Sequence, residues 1–293
     1  MSSGGKKLGR ARGQAPKASR GLSLRKQGWA RVAHLCRQLT EGRHEKPVVF
    51  EDHNIRSLCF GIDGAAQSEM RLNDPQALIS AYTRKMMGFL LFLDRPQEIV
   101  MIGLGGGSLA KFCYHHLPST RVTVIEIDAQ VIALRSHFHI PADDARLSVI
   151  HGEGAAYVAA LADSNHNAEV LLVDAFNRQS IAKEVTERGF LHNAHRMLSR
   201  LGIFVMNLVA DRKLCNRWIE DIRSVFGDPV IAVSIDSGDN VVVFAGRSLQ
   251  DQRCLRGAAH NARHIETRFG LLFPTLLAQS REFLTGEAIQ RFP

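Results

Sequence analysis

The chain has 293 residues, of which 45% are hydrophobic and 23% charged, with a formal net charge of +8. That is an ordinary globular composition and enough length for one large core or a main domain with a small accessory one. No apolar run reaches the about 20 residues that a membrane-spanning helix needs, so a soluble, cytoplasmic protein with no membrane contact is expected.

The basic excess is confined to the start. Residues 1–46 hold 12 Lys and Arg against Glu41 and Glu45, a net of +10, which leaves the remaining 247 residues at −2. The first 20 residues combine Gly, Ser, Ala, Lys and Arg without an acid, the composition of a disordered tail that leads into a first helix. Such a tail reads as a solubilising extension ahead of a contact with nucleic acid or an anionic surface. Its Arg-rich, acid-poor character also matches an organellar transit peptide, although it lacks the apolar core of a secretion signal.

Residues 47–73 read as a small β cap, with strands at 47–50 and 55–62 and a turn at Asp63-Gly64. Asp74-Pro75 then looks like the capped start of a helix running to Phe92. Beyond it, apolar runs at 98–103, 121–126, 146–150, 169–173 and 201–207 alternate with helical stretches near 107–117, 129–138, 153–161, 187–199 and 213–226. Strand–helix alternation of this kind predicts an α/β, doubly wound, mostly parallel sheet with both faces covered. Two further runs, 230–235 and 240–245, flank Asp236-Ser-Gly-Asp239 and predict a closing antiparallel hairpin, giving seven strands in a methyltransferase-like Rossmann sheet over residues 74–293. The stretch from Arg247 to Pro293 looks helical.

Within that pattern, Gly103, Gly105, Gly106 and Gly107 follow the first strand of the sheet, and Glu126 ends the second, 23 residues after Gly103. Glycines there let the backbone turn sharply and let a ligand approach the main chain, and an acid near that spacing accepts hydrogen bonds from ribose hydroxyls. Ser108 stands where a dinucleotide fingerprint has its third glycine, so a mononucleoside such as S-adenosylmethionine is favoured over NAD. Ser108 is also a suitable helix N-cap. The five cysteines, Cys36, Cys59, Cys113, Cys215 and Cys254, contain no C-x-x-C pair and read as reduced thiols. His115-His116 and His137-x-His139 lack acidic partners at ligand spacing, so no metal is expected.

From Gly61 to Ala245 the chain resembles the spermidine and spermine synthases, the polyamine aminopropyltransferases. The resemblance rests on Ile62-Asp-Gly-Ala-Ala-Gln67, Tyr82-Thr-Arg84, Gly103-Leu-Gly-Gly-Gly-Ser108, Val124-Ile-Glu-Ile-Asp128, Gly152-Glu-Gly154 and Leu172-Val-Asp-Ala-Phe-Asn177. It implies a spermidine synthase-like transfer of an aminopropyl group from decarboxylated S-adenosylmethionine to a small amine, in a homodimer. By the same resemblance the co-substrate lies on Gly103, Gly105, Gly106, Gly107, Ser108, Glu126, Ile127, Gly152 and Glu153, with Glu153 meeting the adenine amino group or serving as a helix N-terminal acid. Asp174 is the implied general base, with Gln67, Tyr82 and Asn177 at the acceptor.

Three departures alter the expected charge. Family members carry Asp where Ser108 stands, a carboxylate where Arg84 stands, and D-[ST]-[ST]-D-P in place of Asp174-Ala-Phe-Asn-Arg178. Carboxylates are lost at all three places and two guanidiniums gained, which disfavours a dication and leaves room for the carboxylate of intact S-adenosylmethionine. The alternatives are therefore an S-adenosylmethionine-dependent methyltransferase and a non-catalytic adenosyl-ligand-binding protein.

Overall fold

The computed structural model describes residues 1, 47–60, 66–164, 167–176, 181–235 and 240–278. The basic tail, Cys36, the turn at 63–64, Asn177, Arg178, the hairpin tip at 236–239 and the chain beyond 278 lie outside the described residues. All described residues except Met1 fall in one compact unit, Lys46–Pro293.

Two sheets are present. The first is an antiparallel meander of β1 (Pro47–Asp52), β2 (Ile55–Phe60) and β3 (Ala66–Arg71). The second has seven strands: β4 (Glu98–Ile102), β5 (Arg121–Glu126), β6 (Leu147–His151), β7 (Ala168–Val173), β8 (Leu198–Val209), β9 (Ile231–Ser234) and β10 (Asn240–Ala245). Their order is β6-β5-β4-β7-β8-β10-β9, with β10 antiparallel to both neighbours and the pairs from β6 to β8 parallel. This is the expected methyltransferase-like sheet with its closing hairpin.

The central strands are apolar on both faces, as a sheet covered by helices requires. Ile99 and Met101 of β4 enter one core cluster and Val100 and Ile102 the other, and β7 divides the same way between Val170, Leu172 and Leu171, Val173. The helices that cover them are α1 (Ala81–Met86), α2 (Ser108–His116), α3 (Ala129–Ala133), α4 (Gly154–Asp163), α5 (Arg188–Met197), α6 (Arg212–Phe226) and α7 (Gln252–Phe269). Among the described residues no helix is long and apolar enough to cross a membrane.

Local departures from the sequence pattern have identifiable causes. The helix expected from Asp74 begins only at Ala81 and passes into a 3-10 turn over Met87–Leu91. Asp74 instead accepts the Ala77 amide in a turn, and the Arg84 guanidinium donates to the carbonyls of Leu78 (2.8 Å) and Ile79. A side chain thus occupies acceptors that helical amides would use. Arg84 is thereby tied to that turn.

Similarly, α3 stops at Ala133, and residues 134–139 continue as short i to i+3 turns. The carbonyls there are held from outside: Arg56 donates to His137, and the buried Lys111 ammonium, 1% exposed, donates to Phe138 at 2.7 Å. Burial, with the nearby Arg56 charge, lowers Lys111 to about 8. Strand β3, with the polar sequence AQSEMR, is an addition to the two strands expected in the cap and is held by backbone pairing to β2.

Candidate functional site

The strand order reverses at β4: the chain steps outward through β5 and β6, then returns to place β7 on the other side of β4. A crevice at the carboxyl ends of the strands forms at such a switch point and is where open α/β sheets bind ligands. Four sequence-predicted groups meet along this edge. The Gly152 amide donates to the Glu126 carbonyl (3.0 Å), the Gly103 amide to the Ile125 carbonyl (2.8 Å), and the Asp174 amide to the Ile102 carbonyl (2.9 Å). These bonds extend the parallel ladder one step past β6, β5, β4 and β7 and fix the relative heights of Gly152, Glu126, Gly103 and Asp174.

The glycine turn is built by its φ values and its neighbours. Gly103, Gly105 and Gly107 have φ of 95°, 51° and 68°, a region side chains disfavour. At Gly103 an added Cβ would lie 2.3 Å from the carbonyl oxygen of Asp174, so the turn and the acid of the neighbouring strand share one packed corner. Gly106 faces Ser68 of β3 and Phe138, so the β cap reaches the turn through Ser68. Gln67, next to it in β3, is half-buried. Ser68 was not anticipated from the sequence, because β3 itself was not.

Ser108 is the first residue of α2 and not its cap. Gly107 takes the N-cap position in a left-handed conformation, and its carbonyl accepts from Lys111, which starts the helical ladder one residue earlier than expected.

Glu126 is 8% exposed and is held at both oxygens: one accepts the Leu104 amide of the glycine turn, the other the Asp128 amide, each at 2.8 Å. Each oxygen keeps a second lone pair for a ligand. Ile127 beside it is 68% exposed, an unusual position for a large apolar side chain. Glu153 is the N-cap of α4, its two oxygens accepting from Ala155 and Ala156 at 2.7 Å.

Asp174 is half-buried at the mouth of the crevice. Tyr82 of α1 donates its phenol proton to Oδ2 at 3.2 Å, and Asn207 of β8 donates from Nδ2 to Oδ1 at 2.9 Å. Burial pushes the Asp174 carboxyl above the usual carboxylate range, and those two donors oppose the shift. Tyr82 is pushed well above its ordinary value by burial and by the adjacent carboxylate, so it stays a neutral donor. A half-buried carboxylate held by two neutral donors can accept a proton from a group delivered into the crevice.

Asn207 is a second residue that sequence reasoning misses. It is 1% exposed within Ile203-Phe-Val-Met-Asn-Leu-Val209, and a lone amide in so apolar a strand is the signal that pointed to it. Among the described residues no group of three or more His, Cys, Asp or Glu is placed to hold a metal ion.

The chain is similar to known proteins over most of its length. The pattern of the spermine/spermidine synthase domain matches residues 79–229. A polyamine aminopropyltransferase of Neisseria meningitidis serogroup A is 37% identical over 249 residues, covering 84% of this chain and 93% of that one. An eEF1A lysine and N-terminal methyltransferase of Xenopus laevis is 30% identical over 187 residues, 58% of this chain and 27% of that protein. Among solved structures, a probable spermidine synthase from Corynebacterium glutamicum superimposes with a TM-score of 0.62 at 17% identity, covering 84% of this chain and 93% of that one, which is a likeness of fold.

Proposed function

We propose that this chain, which belongs to the spermine/spermidine synthase family, is a spermidine synthase-like transferase that moves the aminopropyl group of decarboxylated S-adenosylmethionine onto a small amine. The observation that carries the reading is Asp174 at the switch-point crevice, with its carboxylate fixed by Tyr82 and Asn207. The co-substrate supplies an electrophilic methylene beside a sulfonium: as the amine nitrogen bonds to that carbon, the C–S bond breaks, its electron pair goes to sulfur, and neutral methylthioadenosine leaves.

The residues of the glycine turn and strand ends fit its nucleoside half. Glu126 keeps lone pairs for two ribose hydroxyls, the turn offers backbone without a side chain at Gly105, and Ile127 presents apolar surface beside the adenine position. Glu153 uses one lone pair of each oxygen on α4, so its contact with the adenine amino group draws on the others.

An alkyl amine with a reference pKa around 10 enters protonated, and attack requires its free lone pair. Asp174 takes the proton at a carboxylate oxygen and lines the nitrogen up with the methylene. Tyr82 holds Oδ2, and Gln67 and Asn177 complete the acceptor side. No metal enters this chemistry as we draw it. The working form is taken as a cytoplasmic homodimer, in line with the family resemblance; sedimentation velocity showing a monomer at working concentration removes that part.

A second reading is favoured by one observation. Ser108 places a hydroxyl where a carboxylate would repel the carboxylate of intact S-adenosylmethionine, and the Xenopus laevis relative is named a methyltransferase. Calorimetry with both forms of the co-substrate decides between them. Tighter binding of the decarboxylated form is expected, and Glu126→Ala should weaken it by about 1–3 kcal/mol. Preference for the intact form makes the chain a methyltransferase, and binding of neither leaves the glycine turn as structure alone in a non-catalytic protein. Unchanged affinity in Glu126→Ala removes the ribose assignment.

A further inference from the structure

The contacts of Asn207 continue past Asp174. Its Oδ1 accepts from Nδ2 of Asn240 at 2.9 Å, so a line of side chains runs from Tyr82 to Asp174, Asn207 and Asn240 across α1, β7, β8 and β10. The register explains the placement. Val173 pairs with Met206, which brings Asp174 beside Asn207, and Asn240 pairs with Val209, which puts it diagonal to Asn207 on the antiparallel ladder.

An asparagine amide has a donor end and an acceptor end of nearly the same shape, so its orientation is set by its partners. With Asn240 donating to its oxygen, Asn207 presents its NH2 to Asp174. Reversed, it would present a carbonyl, which a carboxylate cannot pair with and a protonated carboxyl can.

We propose that Asn207 and Asn240 are positioning residues that hold Asp174 in its ionised, proton-accepting form, and that Asn240 does so by fixing which end of the Asn207 amide faces the carboxylate. The proposal concerns the same site and rests on Asp174 being the base only for its catalytic consequence; the hydrogen-bond polarity stands apart from it. Among the described residues, few competing causes face Asp174. Tyr82 faces it from α1 as a neutral donor, the glycine turn after β4 faces it with backbone, and β8 contributes Asn207.

Removal of Asn240 takes away the donor that fixes the Asn207 oxygen, so the reversed amide becomes more accessible, and with it protonated Asp174. A raised Asp174 pKa shortens the range in which the base is available, because activity rises with pH through that value. The acid limb therefore moves to higher pH.

The test is the titration of the Asp174 carboxyl carbon by 13C NMR, assigned with Asp174→Asn, in the unmodified chain, Asn240→Ala and Asn240→Asp. Asn240 is half-buried near the hairpin tip, so these variants avoid the fully buried site at Asn207. In Asn240→Ala the midpoint is expected to rise by about one pH unit. In Asn240→Asp it rises at least as far, because the new carboxylate can only accept and draws the Asn207 NH2 away from Asp174. The acid limb of kcat/KM should follow in both variants.

The same midpoint in all three proteins overturns the proposal. A shifted midpoint with fully active Asp174→Asn instead keeps the amide relay and removes Asp174 as the base, so the two failures are distinguishable.

Discussion

Asp174→Asn is expected to lower turnover by about 10²–10⁴ while leaving affinity for the adenosyl co-substrate near that of the unmodified chain. The amide side chain keeps the shape and can still be held by Tyr82 or Asn207 at one end, but it cannot take a proton. The split follows from geometry: the nucleoside contacts assigned to Glu126 and the glycine turn lie on β4 and β5, and Asp174 lies across the switch point on β7.

Because burial raises the Asp174 carboxyl, the unmodified enzyme should lose activity on the acid side at a higher pH than an ordinary aspartate would dictate. That limb should vanish in Asp174→Asn. Steady-state rates across pH, with calorimetric affinities, check both statements. Full turnover in the variant would falsify the assignment of Asp174 as base and leave it a structural acid at a strand end.

The second large effect is expected from a position with no side chain. Gly103→Ala puts a Cβ at φ 95°, 2.3 Å from the Asp174 carbonyl oxygen. The backbone conformation alone costs about 1–3 kcal/mol in stability, and relief of the overlap must move either the turn or the strand end that carries Asp174. Thermal unfolding should report the loss of stability. Turnover in the folded fraction should drop on the order of 10²-fold, as for a catalytic group displaced by about 1 Å. An alanine variant with unmodified melting temperature and rate would show that the corner yields without disturbing the acid.

The two outcomes differ in kind. Asp174→Asn separates chemistry from binding, whereas Gly103→Ala should impair both, since one substitution disturbs the nucleoside turn and the acid together.

The seven-stranded sheet was legible because its strands are apolar on both faces and are punctuated by Gly103, Glu126, Gly152 and Asp174 at their carboxyl ends. Those residues converge because a parallel sheet brings the same end of each strand to one edge. The cap was only half legible. β3 reads AQSEMR, with Met70 its one buried large side chain, and its pairing comes from the backbone of β2, so neither propensity nor alternation marks it. The misplaced helix start has a different origin. Asp74-Pro75 is a sound local signal, but Arg84, ten residues on, captures the carbonyls at 78 and 79, a competition that pattern reading does not weigh.

The partners of Asp174 were legible in part. Tyr82 was named for the acceptor side, and its bond to the carboxylate follows from where α1 packs. Asn207 and Asn240 lie far apart in sequence and meet through register, which becomes visible only when the strand order is known.

One arrangement changes how binding and folding relate. The Glu126 carboxylate grips the amides of Leu104 and Asp128, bonds made within the chain itself. Its aim is settled as the chain folds, so a ligand does not have to immobilise a wandering side chain, and little of its affinity is lost to ordering the pocket. The same two hydrogen bonds thus serve the stability of the sheet edge and the readiness of the crevice. On the proposed assignment, a lesion that frays the carboxyl end of β5 should therefore weaken nucleoside capture before it touches the chemistry at Asp174.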